Sequence, residues 1–236
     1  MTTESNRPWR SRGRAISYHT TVGTLRGILA FSSRVKVFHA GNFPVSGPVI
    51  LASNHISHFD PPFLSAYSPR PVDWLAMSEL YATGWSKKYF LSVNAIPIHR
   101  GAPDRAALRE AVARLQDGRV IGIFPEGGIR DGNASVLAGA SPQRGLSLLA
   151  RLSQAPVLPC AILGSDRLYN IKNWKPWRRV PIWICLGQTI PPGLEEEAFS
   201  QQLAESFLCL REELLNKHGA TPDDLPHSPN ERMQSG

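Results

Sequence analysis

The densest polar cluster in the chain follows a short apolar run and reads Ser53-Asn54-His55-Ile56-Ser57-His58-Phe59-Asp60-Pro61-Pro62. Asp60 ahead of Pro61 is expected to cap a helix with proline in its first turn. His55 then lies in the strand-to-helix loop, five residues earlier. A loop of that length can fold back so that the Asp60 carboxylate meets one imidazole nitrogen while the other faces outward. Such a pair fixes the tautomer and stabilises the imidazolium that forms when histidine takes a proton. It is a general base with its orienting acid, and a substrate hydroxyl would be the nucleophile. Two other readings use the same residues. Asp60 can be a helix cap alone, beside an ordinary loop histidine. His55, His58 and Asp60 can also be ligands of a metal-dependent hydrolase. Their H-x-x-H-x-D spacing differs from the H-x-H-x-D-H of binuclear hydrolases, and no further His-rich segment adds ligands.

Two further blocks end apolar runs. In Phe124-Pro125-Glu126-Gly127-Gly128-Ile129-Arg130-Asp131-Gly132 the glycines allow a ligand to approach the backbone closely. Glu126 can bind a hydroxyl there, and Arg130 a phosphate, which suits a planar two-pronged guanidinium. The same stretch also reads as a glycine-rich loop with a surface ion pair. The third block, Ile96-Pro97-Ile98-His99-Arg100-Gly101, again ends in an arginine.

These groups need a scaffold that gathers distant loops. Short apolar runs at 48–53, 71–77, 95–100, 119–127, 156–164 and 180–187 read as strands. Between them, 104–118, 142–155 and 194–217 read as helices. In the first of these, Asp104 caps the start, Leu108, Val112 and Leu115 share a face, and Gly118 ends it. Glu195, Glu196 and Glu197 suit the dipole of the last. Alternating strands and helices predict an α/β fold with a mostly parallel central sheet flanked by helices, and chemistry at the strands' carboxyl ends. The chain divides into a flexible basic arm (1–14), an amphipathic segment (15–40) expected to be helical to residue 38, a folded domain (41–218) and a flexible tail (219–236). Residues 15–38 suit either a membrane-surface helix or one packed on the domain's own core.

Composition narrows the class. The chain has 236 residues and a formal charge of +7, with 42% hydrophobic and 19% charged side chains, which excludes a wholly disordered protein. Cys160, Cys185 and Cys209 are too few and too scattered for a disulfide framework or a structural zinc site. No apolar run is long enough to span a bilayer, and no signal-peptide pattern opens the sequence. The first 40 residues carry seven basic side chains against Glu4, whereas 191–236 are strongly acidic. A basic front suits nucleic acid, an anionic membrane or a phosphorylated substrate.

Together and in this order, the blocks resemble the glycerolipid acyltransferase superfamily, most closely the 1-acylglycerol-3-phosphate (lysophosphatidate) acyltransferases. The family's NHxxxxD motif stands as Asn54 to Asp60, after Gly47-Pro48-Val49-Ile50. Its second motif corresponds to Ile96 through Gly101, its third, FPEG, to Phe124 through Gly127, and its fourth to Val157-Leu158-Pro159-Cys160. Each motif alone is unspecific; four in order are not. One departure stands out. The family pattern FPEGTRS has arginine three residues after glutamate, and here Arg130 comes one position later. That leaves lysophosphatidate, glycerol 3-phosphate and other lysolipids open as acceptors.

The resemblance implies direct transfer of a fatty acyl group from a thioester, acyl-CoA or acyl carrier protein, to an acceptor hydroxyl. His55 would be the general base and Asp60 its orienter. Arg100 and Arg130 would hold the acceptor phosphate, with Asn54, Glu126, Gly127 and Gly128 lining its site. No metal and no cofactor beyond the thioester co-substrate is implied, and no cysteine needs a catalytic role. The segment 172–179 has four cations, Trp174, Trp177 and no acid. It suits an anionic membrane surface, the phosphates of coenzyme A or an acidic carrier protein. The expected partners are therefore an anionic lipid surface, the thioester carrier and a lysophospholipid rather than nucleic acid. The expected location is peripheral, on the cytoplasmic face of a membrane.

Overall fold

Strand and helix periods alternate along the chain, and the elements follow them. In the computed structural model, which describes residues 9, 11–99 and 104–234, the order is α1 (Arg12–Ser32), β1 (Ser33–Phe38), β2 (Val49–Ser53), α2 (Asp60–Tyr67), β3 (Val72–Met77), α3 (Gly84–Ser92), β4 (Ile96–Ile98), α4 (Arg105–Gln116), β5 (Val120–Ile123), α5 (Gly145–Ser153), β6 (Val157–Leu163), β7 (Val180–Leu186), α6 (Glu196–Lys217) and α7 (Pro229–Gln234). The seven strands form one sheet in the order β1-β7-β6-β2-β5-β3-β4. Neighbours are parallel except β6 with β7. Strands β2 to β6 therefore end on the same edge, and the loops carrying the polar blocks meet there.

The strand period of two sorts the core. Ile50, Ala52, Val157, Ala161 and Leu163 face one side, where Ala111 and Leu115 of α4, Leu149 of α5 and Phe207 of α6 cover them. Val49, Leu51, Leu158, Cys160 and Ile162 face the other, under Leu29 of α1 and Phe63 and Leu64 of α2. Each Val, Leu, Ile or Phe side chain among them contributes ~1.5–3 kcal/mol when removed from water. Asp104 caps α4 as expected, accepting from the amides of Ala106 and Ala107, each at 3.0 Å.

Three expectations need correction. The segment 15–38 is not one helix: α1 stops at Ser32, and Ser33–Phe38 is the edge strand β1, paired with β7. Val35 and Val37 alternate with Arg34 and Lys36, and this β-branched period of two prevails over a loose helical spacing. Second, the arm's described residues are anchored rather than free. Trp9 donates from Nε1 to Asp117 at 2.9 Å and lies under the Arg114 guanidinium, and the helix starts at Arg12. Third, the tail is held. Asp224 pairs with Arg167, and Arg232 on α7 pairs with Asp166 at 2.6 Å. A polar, proline-rich composition hides such links, because each depends on a partner far away in sequence.

A buried ionic knot fixes the edge of the sheet opposite those loops. Asp73 on β3 is fully buried and accepts from Arg114 at 2.9 Å and from two nitrogens of Arg119 at 2.6 Å each. Asp73→Ala should cost about 3–5 kcal/mol in a denaturant titration, because it strands guanidinium groups in the interior. A loss below about 1 kcal/mol, the range of an exposed pair, would contradict this account.

Candidate active site

The loop between β2 and α2 folds back on itself. The Asp60 carboxylate is fully buried and points into that loop rather than capping α2, whose cap position is Phe59. Its Oδ2 accepts from the amides of Ile56 at 2.7 Å and Ser57 at 2.8 Å and from His55 Nδ1 at 2.8 Å. Its Oδ1 accepts from the hydroxyl of Ser165. The capping expectation fails because three donors before the helix compete for the carboxylate. The folded-back pairing of His55 and Asp60 is present, and it leaves Nε2 as the ring nitrogen available to a ligand.

Stacking sets the plane of the imidazole. His55 lies on Phe124 with ring centroids 3.9 Å apart, and Phe124 lies on Trp74 at 4.8 Å. Trp74 in turn lies against Gly122 of β5, where a Cβ would fall 2.4 Å from the indole. A glycine inside an apolar strand marks such a close approach. Trp74 is also pinned by its Nε1–H to Ser65 Oγ at 2.9 Å.

The other expected site residues divide. Asn54 is buried, and its amide joins the β2–β6 ladder, donating to the Ile162 carbonyl at 2.9 Å and accepting from the Ile162 amide at 2.8 Å. Glu126 accepts from the His55 amide at 2.6 Å, the Ser135 hydroxyl at 2.8 Å and the Val136 amide at 2.9 Å. Its oxygens thus tie the β5 loop to the His55 loop. Gly127, at φ +68°, is in the left-handed region that favours glycine and lies under the amide end of Gln143. The Arg130 side chain is exposed, and its amide donates to the His55 carbonyl at 2.8 Å. Arg100 lies outside the described residues. Its neighbour His99 is exposed and binds Asp104 through Nδ1 at 3.0 Å, a second H-x4-D pair.

A cavity of about 890 Å³ opens beside His55. His55, His58, His99, Gly127 and Gly128 border it, and its walls are mostly apolar, with Val22 and Leu25 from α1, Met77 at the end of β3, and Tyr89, Phe90 and Val93 around α3. Burial lowers the pKa of His58, reinforced by the nearby His55. Among the described residues, the three-ligand grouping close enough for a metal is His39, Cys185 and Glu213, not His55, His58 and Asp60. Neither Ser165, Gln143 nor the Trp74–Phe124 stack was expected from sequence. Gly122 alone left a signal, as a lone glycine in an apolar strand.

Burial pushes the Glu126 carboxyl up to about 7, against the pull of its hydrogen bonds from Val136, His55 and Ser135. The unfolded chain releases that proton near 4.5. The raised folded value favours the folded state fully below pH 4.5, and this contribution is lost as pH rises through about 7. Relative to Glu126→Gln, the wild-type chain should therefore lose about 3 kcal/mol of stability across that window. Parallel pH profiles of the two proteins in chemical denaturation would refute it.

Known proteins resemble this chain in sequence and in fold. The family model described as Acyltransferase matches residues 34–163. A 1-acyl-sn-glycerol-3-phosphate acyltransferase of Bacillus subtilis is 25% identical over 148 residues, covering 62% of this chain and 71% of the relative. One of the same description from Helicobacter pylori is 23% identical over 173 residues, covering 72% and 71%. The crystal structure of the 1-acyl-sn-glycerophosphate acyltransferase PlsC from Thermotoga maritima superposes with a TM-score of 0.65 at 23% identity, over 88% of this chain and 84% of that one. The four ordered motifs and the matched span, which runs from β1 to the end of β6, lead to one statement: the chain belongs to the Acyltransferase family.

Proposed function

We propose that the protein transfers a fatty acyl group from a thioester, acyl-CoA or acyl carrier protein, to the hydroxyl of 1-acylglycerol 3-phosphate, giving phosphatidate for phospholipid synthesis. One observation carries this reading: His55, held through Nδ1 by a buried carboxylate, borders a large apolar cavity. The names of the Bacillus subtilis and Helicobacter pylori relatives support the acceptor.

In the reaction, Nε2 of His55 takes the proton of the acceptor hydroxyl as its oxygen attacks the thioester carbonyl. Asp60 holds the tautomer and balances the imidazolium. The tetrahedral intermediate then collapses, the C–S bond breaks, and the thiolate leaves with the proton from His55. Donors to the developing oxyanion would come from the glycine loop, where Gly127, Gly128 and Ile129 border the cavity. Arg100 and Arg130 hold the acceptor phosphate. The apolar walls suit an acyl chain, as ligand pockets of this size are mostly apolar with few polar groups.

The protein acts at the cytoplasmic face of a membrane, bound peripherally. Among the described residues, no helix is long and apolar enough to cross a bilayer. Helix α1 contacts α3 and the turn at 176–178, and residues 12–32, 84–92 and 171–179 contain no acid. Ile16, Phe31, Trp85, Ile171 and Trp177 are exposed there beside Lys87, Lys88, Lys175 and Arg178. Helix α1 also packs on the domain, burying Tyr18 and Leu29. The packed alternative is therefore met, and the exposed Ile16, Ile28 and Phe31 of its outer face support lipid contact as well. Val22 and Tyr89 border the cavity from α1 and α3, so a lysolipid reaches the base from that side.

His55→Ala and Asp60→Asn should each cut transfer at least ~10²–10⁴-fold with the fold intact. An assay crossing lysophosphatidate, glycerol 3-phosphate and a neutral lysolipid with both thioester donors reads the substrates. Full activity in His55→Ala would sink the mechanism. Arg100→Ala should raise the acceptor KM, and a change confined to the thioester KM would remove its phosphate role. Flotation with anionic liposomes at low salt should carry the protein into the lipid fraction, and a double Trp85→Ala, Trp177→Ala variant should float less. Protein left at the bottom in both cases would overturn membrane binding.

A further inference from the structure

The turn after β6 faces two ways. Gly164, at φ +86°, bends the chain where a Cβ would fall 2.4 Å from the Pro181 carbonyl oxygen, so only glycine fits. The next residue, Ser165, is fully buried and donates its hydroxyl to Asp60 Oδ1. Four residues on, Tyr169 Oη accepts from the His58 amide at 3.1 Å. The two residues after Ser165 bind the C-terminal segment instead. Asp166, also fully buried, accepts from Arg232 Nε at 2.6 Å, and Arg167 pairs with Asp224. The Arg232 guanidinium is itself tied to the carbonyl of Asp223 at 2.7 Å. The family match ends at residue 163, so every one of these links except Asp60 and His58 lies beyond it.

We propose that the C-terminal segment braces the catalytic pair, with Ser165 and Arg232 as positioning residues that act on Asp60 and, through it, on His55. The inference rests on the reading of His55 as the base. Asp60 Oδ2 already receives three donors. Ser165 is the side-chain donor to Oδ1, and it fixes the rotation of the carboxylate about its own axis. That rotation sets where Nε2 of His55 points. Arg232 holds the turn that carries Ser165 by neutralising Asp166 one residue away. Neither residue touches substrate in this arrangement; both set the angle at which the base meets the acceptor hydroxyl. A loss of this alignment lowers the rate of chemistry and leaves substrate binding alone.

The test measures kcat, both KM values and Tm for Ser165→Ala, Arg232→Met and Arg232→Lys, with His55→Ala alongside. Ser165→Ala and Arg232→Met should lower kcat about 10- to 100-fold with both KM values within about twofold, the signature of misplaced catalytic groups. Arg232→Lys, which keeps the charge, should recover most of kcat. Wild-type kcat in Ser165→Ala beside an inactive His55→Ala overturns the brace and leaves the base in place. An active His55→Ala instead removes the base assignment. Should Arg232→Met fail to fold, Ser165→Ala decides by the same split, since it deletes one hydroxyl.

Discussion

A carboxylate wholly withdrawn from water is the constraint that shapes this site. Burying an ionised group costs several kcal/mol unless charge and hydrogen bonds answer it. Among the described residues the ionic partner of Asp60 is an imidazole, so most of the compensation must come from neutral donors. Two backbone amides, one ring nitrogen and one hydroxyl provide it. Each donor imposes a condition. The amides of Ile56 and Ser57 require the loop to curl over the helix start. Ser165 requires β6 to lie beside β2 and the chain to reverse at Gly164. The register that pairs Ser53 with Cys160, extended by Asn54 onto Ile162, meets the second requirement.

Glu126 solves a related problem with a different outcome. It too is buried and accepts three hydrogen bonds, but burial outweighs them, and its carboxyl is pushed up to about 7. Asp60 faces an imidazole and Glu126 faces peptide and hydroxyl groups. One carboxylate therefore holds an ionisable ring, and the other clamps two loops. Both reach the same histidine, because Glu126 holds the amide of His55 while Asp60 holds its ring.

Local patterns made much of this legible. Strands with period two, the helix from Asp104, and the loop carrying His55 and Asp60 all follow from neighbours in sequence. The pairing at five residues' separation was readable for the same reason. What stayed hidden depends on distance along the chain. Ser165 lies 105 residues from Asp60, and Arg232 lies 66 from Asp166, so no window of sequence contains either contact. The tail looked flexible because its stabilisation is ionic and pairwise rather than an apolar stripe. Residues 33–38 looked helical because two valines in a short edge strand are a weak signal beside a 21-residue helix. Asn54 and Glu126 carry polar groups of the type that binds substrate, and sequence does not say whether the chain itself has claimed them.

The two H-x4-D pairs show why the pattern alone does not define the chemistry. His99 and Asp104 have the same spacing as His55 and Asp60, the same Nδ1-to-carboxylate contact, and an amide of the histidine or its neighbour bound to the same oxygen. Asp104, however, caps α4, and its hydrogen bonds, led by those from the amides of Ala107 and His99, hold it well below the usual carboxylate range. Its histidine is 77% exposed, where water screens the pair and competes for the ring. The His55 ring is 14% exposed and stacked on Phe124 against an apolar cavity. There little water reaches the ring, and the buried carboxylate is its ionic partner. The same spacing thus gives an exposed pair at a helix start in one place and a buried pair facing a cavity in the other. The difference lies in what surrounds the two residues: Gly122 making room for Trp74, Trp74 supporting Phe124, and Phe124 covering the ring.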